Sequence, residues 1–188
     1  MESSKTKEKI VELARNNIQS IGYHSFNYKQ ISIQLNIKNA SIHHHYPTKE
    51  DLGLAVVEKD KQDFLDMISR VAPLTATEKV GVLLNMYRQF FNNGNKLCII
   101  GAFGSAYLDI PEKIQLAAVL YGEIFHNWLT QIFAEGLDNG EFSFSSSSED
   151  LSNLWITALV GSLQIGRIRG ENYFNNLLET LQKTLVLQ

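Results

Sequence analysis

The stretch GYHSFNYKQISIQLNIKNASIHHHYPTKEDLGLAV, residues 22–56, holds two short helices and the start of a long one. Gly22 is a natural stop for a preceding helix, because glycine enters the left-handed backbone of a C-terminal cap without a Cβ clash. Asn27 can cap a short helix that turns Ile31 and Leu35 inward. Asn36 follows, and asparagine tolerates the left-handed backbone of a tight turn. A further short helix is expected over 39–45, closed by Tyr46-Pro47, with Ile37 plugging the turn and Ile42 and Tyr46 as anchors. Two short helices joined by three or four residues and packed on an earlier helix make a helix-turn-helix. That packing leaves Asn39, Ser41, His43, His44 and His45 on the outer face. No Asp or Glu occurs from residue 13 to residue 49. An acid-free face rich in hydrogen-bonding groups is what a helix needs to enter a major groove.

Helical periodicity covers the rest of the chain. Ile10, Leu13, Ala14, Ile18 and Ile21 recur at spacings of three and four before Gly22, giving a first helix with one apolar face. Thr48 can cap a fourth helix that ends at Pro73. A fifth is expected over 76–92, broken by NNGN, and a sixth over about 97–107. Pro111 suits the first turn of a seventh, which runs to the DNG at 138–140. Ser147 with Asp150 forms a capping pattern for an eighth over 148–168. Gly170 separates it from a ninth over 171–187. EFSFSSSS, at 141–148, reads as loop.

The chain has 188 residues, 44% of them hydrophobic and 20% charged, ordinary values for a globular protein. The longest nearly unbroken apolar run, LCIIGAF at 97–103, is far short of the roughly 20 residues of a membrane helix. The opening MESSKTKEK is polar, and no apolar leader follows it. Cys98 is the single cysteine, so no internal disulfide forms. These features give the expectation of a cytoplasmic protein with no membrane partner. Charge is unevenly spread. Residues 1–49 carry +4 and residues 50–188 carry −7, within a total of −3. A basic front on an acidic body is the asymmetry of a nucleic-acid-binding module joined to something with another task. The triple histidine is not a metal site, because consecutive helix positions point about 100° apart. Cys98 and His126 lack the third group that a nucleophile-and-base pair needs, so no enzyme is expected.

The residues Gly22, Tyr23, Ile31, Ile37, Ile42, His45, Tyr46, Lys49 and Leu52 fall without a gap on a known pattern. The stretch 22–56 resembles the TetR/AcrR family of transcriptional regulators. Asn36 stands where that family usually has Gly, Ser32 where it has Ala, and His43 where it has Tyr. Tyr28 occupies a place where a small or β-branched residue is frequent. CIIGAF, at 98–103, looks like one of the family's ligand-domain types. The resemblance implies an all-α fold of about nine helices, with a three-helix DNA-binding head at 1–48 and a ligand-binding and dimerisation body at 49–188. It implies a homodimer on double-stranded operator DNA, a repressor released by a small-molecule effector, with no cofactor and no metal. Lys29 would reach a phosphate or a base, Asn39 and Ser41 bases or backbone, His43 a phosphate or a thymine, and His45 and Lys49 phosphates. His44 shares their exposed face.

By the same resemblance, Met86, Tyr87, Phe90, Phe103, Tyr107, Tyr121, Phe125, Trp128 and Trp155 belong to helices around a ligand cavity. Their rings suit an apolar or aromatic molecule. Gly161 and Ser162 of the eighth helix, with Phe174, Leu178 and Leu181 of the ninth, would form the dimer interface, two helices from each subunit. A second reading keeps the fold and makes Cys98 a redox or electrophile sensor, its thiolate favoured at the start of the sixth helix.

Overall fold

A computed structural model describes residues 2–186, with side chains from residue 5 onward. Residue 187, the last position of the expected ninth helix, lies outside the described residues. Among those described, nine α-helices and no strand occur. They are α1 (Glu2–Ile21), α2 (Tyr28–Leu35), α3 (Asn39–His45), α4 (Lys49–Val71), α5 (Ala76–Asn92), α6 (Ile99–Gly104), α7 (Glu112–Asp138), α8 (Ser148–Arg169) and α9 (Glu171–Lys183). A single 3-10 turn, Tyr107–Asp109, precedes α7. The sixth helix is therefore shorter than its expected 97–107, and Pro111 sits just outside α7 rather than in its first turn.

Local chemistry sets the helix ends. Asn27 and Gln30 form a reciprocal capping box at α2, as do Thr48 and Asp51 at α4 and Thr75 and Glu78 at α5. Asn36 closes α2 at φ 53°, its N–H donating to Ile33 and Ser32 carbonyls, which makes the turn between α2 and α3. A distant residue also caps α5: the Glu141 carboxylate accepts from the Ala76 and Thr77 backbone N–H groups at 3.2 and 2.8 Å. These N–H bonds hold that carboxyl below its ordinary pKa.

The α1 apolar face packs Ile10, Ala14 and Ile18 with Phe26 of the loop that follows and with Ile31, Ile42 and Leu52 of the next three helices, all fully buried. Ile21, expected on that face, is instead 48% exposed, because it is the last residue of the helix. α4 runs from this cluster into the body. There Val56, Val57, Phe64 and Met67 meet α1 and α7. Gly53 permits a close crossing. A Cβ there would lie 2.7 Å from both the Tyr23 ring and the Ile114 side chain. The far end of α1 is stitched to the body by polar bonds. Leu97 N–H donates to Gln19 O at 3.0 Å, and Lys96 Nζ to Asn16 Oδ1 at 2.6 Å. Arg167 of α8 donates from Nη2 to Gln19 O at 2.7 Å and from Nε to Asn95 O at 2.6 Å.

The last two helices correct an expectation. Phe174, Leu178, Leu181 and Ser162, assigned to the dimer interface, are buried inside the single chain. α9 turns its apolar stripe onto α8, where Phe174 stacks on Phe91 of α5 at 4.3 Å. An apolar stripe on a terminal helix has two possible partners, its own chain or a second copy, and here its own chain uses it. Groups of exposed apolar side chains lie on two helices: Leu116, Val119 and Leu120 on α7, and Leu154, Ile165 and Ile168 on α8, where Ala158 and Gly161 lie half-buried between them. The α8 residues recur at regular intervals. Their spacing of four, three, four, three is that of a helix–helix seam.

Candidate nucleic-acid interface and the cleft behind it

The α2–turn–α3 unit is held from beneath by Tyr28. Its hydroxyl lies 2.9 Å from Tyr46 O and 2.5 Å from Thr48 O, so the start of α2 grips the junction between α3 and α4. Burial pushes its phenol up to about 12. This explains the large residue at a position where a small one is frequent: it supplies a bond that β-branched side chains cannot. Ile42 is the one α3 residue that is fully buried. Asn39, Ser41, His43 and His44 are exposed, and so is Lys29 on α2, while His45 is half-buried. His43 stacks obliquely on Tyr28 with ring centroids 4.7 Å apart, and its Nδ1 lies 3.2 Å from Pro47 O. His44 and His45 meet edge to face at 5.4 Å. The predicted DNA-facing residues of α3 are thus brought onto one short helix, together with Lys29.

Lys49 differs from the rest. Its Nζ donates to His24 O at 3.0 Å and sits over the rings of Tyr23 and Phe26, 4.9 and 4.7 Å from their centroids. Burial lowers its pKa. In the free chain this ammonium therefore fastens α4 to the turn after α1 rather than standing open to solvent. A phosphate would have to draw it from that seat.

Behind the head lies a cleft of about 300 Å³ between α1, α4, α5 and α7. Of the nine residues expected around a cavity, Met86, Phe90 and Tyr121 line it. The other six do not. Phe125 and Trp128 pack edge-on against Phe64, one layer behind the wall. Tyr87 is buried beside Cys98. Phe103 packs on Tyr23 at the junction with the head. Trp155 lies in the core against Phe133, its Nε1 donating to Thr184 Oγ1 at 3.0 Å. Tyr107 is exposed on the 3-10 turn.

The polar end of the cleft was missed in the sequence. Arg15 of α1 enters it, with Nη2 2.6 Å from Asp60 Oδ1 and Nη1 3.2 Å from Asp63 Oδ2. Asp60 is buried, and desolvation raises its pKa against the pull of Arg15 and the nearby Tyr121 hydroxyl. A signal was present: Asp60 interrupts the apolar series Val56, Val57, Phe64, Met67 on one face of α4. A charge on a core stripe marks a buried pair or a site.

Cys98 is corrected as a sensor. It is buried, and its Sγ accepts from Gly101 N–H at the start of α6. Burial outweighs that bond and pushes the thiol up to about 11. A protonated, enclosed thiol is a poor nucleophile and a poor target for oxidants, so the redox reading is not favoured.

A basic-fronted helix-turn-helix seated on an all-helical body defines a DNA-binding regulator, and known proteins bear this out. No protein-family model matches the chain. A crystal structure of a TetR transcriptional regulator from Legionella pneumophila is 30% identical, covers 95% of this chain and 96% of its own, and superposes with a TM-score of 0.84. A TetR-family regulator from Agrobacterium tumefaciens is 22% identical with a TM-score of 0.91, covering 98% and 100% of the two chains. The transcriptional regulator AcuR of Cereibacter sphaeroides is 22% identical over 164 residues, covering 82% of this chain and 74% of AcuR. The chain belongs to the TetR family and is a transcriptional regulator of that type. No helix among the described residues is long and apolar enough to cross a membrane.

Proposed function

We propose that the protein is a homodimeric repressor that binds an operator through α3 and leaves it when a small molecule enters the cleft. Residues 1–48 act as the DNA-binding head and residues 49–188 as the ligand-binding and dimerisation body, and the protein works in the cytoplasm. Asn39 and Ser41 read base edges or backbone. Lys29, His43, His44 and His45 hold phosphates around them. Lys49 joins by leaving His24 O for a phosphate near the start of α4. The observation that carries this reading is the outer face of α3. Its exposed polar groups are all uncharged or weakly basic, within a span of 37 residues free of acids.

Two copies are needed because a palindromic operator presents half-sites about 34–36 Å apart on one face of the duplex. The exposed α8 seam of Leu154, Ala158, Gly161, Ile165 and Ile168 supports a symmetric pairing, with the outer face of α9 beside it. Release is a population shift: a ligand wedged against α4 favours a tilt that the DNA-bound spacing does not. Duplex selection from a random pool tests the reading, with Ser41→Ala and Asn39→Ala expected to lose sequence preference. Retained preference in both would remove α3 from the interface.

A further inference from the structure

The cleft holds an internal cation in a setting built for one. Its inner end carries Asp60 and Asp63, one turn apart on α4. Phe64, Phe90 and Tyr121 supply aromatic walls. Into this end reaches Arg15, a residue of the head. The fit is imperfect. Asp60 Oδ1 lies 2.6 Å from Arg15 Nη2, but Arg15 Nε is enclosed with no hydrogen-bond partner. An ion pair that is buried yet leaves a donor unpaired recovers little of its desolvation cost, and a better-fitting cation can displace one partner.

We propose that the effector of this regulator is an organic cation, an aromatic or aliphatic amine or amidine, that replaces Arg15 at Asp60 and Asp63. The proposal rests on the reading of the cleft as the effector site. Charge decides the sign. Arg15 and Arg70 line the cleft with Asp60 and Asp63, and Glu12 lies 3.6 Å from Arg15, so a carboxylate effector would add a fourth acid beside an Asp60 already desolvated. A cation leaves the balance unchanged, since Arg15 moves to solvent as the ligand enters. Phe64, Phe90 and Tyr121 add cation–π attraction, which strengthens out of water. The acidic body, −7 over residues 50–188, steers cations toward it as well. Displacement also carries the signal. Arg15 lies on α1 and its partners on α4, so an incoming cation cuts the tie between the head's first helix and the helix that carries the head on the body.

The test uses three probes of one shape and different charge: benzamidinium, benzamide and benzoate, titrated calorimetrically into the ligand-free protein. Benzamidinium should bind at least about tenfold more tightly than either of the others. Asp60→Asn should weaken it by about tenfold or more. Arg15→Ala should strengthen it, since the competing internal cation is gone. Should Asp60→Asn not fold, Asp63→Asn must weaken benzamidinium severalfold. Equal or tighter binding of benzoate overturns the proposal, as does an unchanged benzamidinium affinity in the Asp variants, or no benzamidinium binding at millimolar concentration. Operator binding by the ligand-free protein is measured separately. Its failure would sink the DNA reading and leave the calorimetric preference standing.

Discussion

Tyr28 shows how much one residue contributes to the presentation of α3. Its hydroxyl lies within hydrogen-bond distance of two carbonyls at the junction of α3 and α4, Tyr46 O and Thr48 O, the second of which also accepts from Leu52 N–H. Tyr28→Phe should cost about 1–2 kcal/mol by urea unfolding, because a partner is removed from carbonyls that water reaches poorly. Operator affinity should fall with it, through a less fixed α3. Unchanged stability would mean that water replaces the hydroxyl without loss. Cys98 gives a pH prediction. Its thiol titrates near 9 when unfolded and at about 11 when folded, so the folded state holds the proton more tightly. The stabilisation is whole below pH 9 and is lost as pH rises toward 11, with a slope of at most about 1.4 kcal/mol per pH unit. Cys98→Ala should flatten the fall in urea midpoint over that window. The native thiol should also resist iodoacetamide at pH 7.5 until the chain is unfolded. Rapid alkylation of the folded protein would reopen the sensor reading.

Among the helices, the ends were legible and the partners were not. Asn27, Asn36, Thr48 and Ser147 act on backbone groups within three or four residues, so local sequence carries their effect. The face of α9 was also legible as apolar. What it packs against was not, because Phe174, Leu178 and Leu181 would look the same buried on α8 or in a dimer seam. The Arg15–Asp60 pair spans 45 positions in the chain and leaves no local spacing to read. These corrections move the tests. Leu178→Ala should cost about 2–5 kcal/mol in the monomer fold. Leu154→Glu with Ile168→Glu should leave the fold intact and shift the protein to monomer in sedimentation, since both side chains are exposed. A double variant that stays dimeric would place the seam elsewhere. Gly53→Ala should destabilise by about 1–3 kcal/mol, because its methyl meets Tyr23 and Ile114 with no room. That loss should appear in thermal unfolding.

At the scale of the molecule, α1 is tied to the rest of the chain at two places along its length. Arg15 holds the middle of α1 to α4 inside the cleft, and Arg167 holds its last carbonyls to α8 beside the exposed seam. A change in the cleft and a change at the seam therefore both bear on the helix that carries the helix-turn-helix. The account stands or falls on duplex recognition by a dimer. The most direct measurement is fluorescence anisotropy of the purified protein on a duplex selected from a random pool, followed from low to high salt. A dimer reading its operator through α3 should select a palindromic site with half-sites about one helical turn apart, bind with a stoichiometry of two chains per duplex, and lose affinity steeply with salt as phosphate-bound counterions are released. Selection that enriches no sequence, or binding that is indifferent to both salt and sequence, would contradict it.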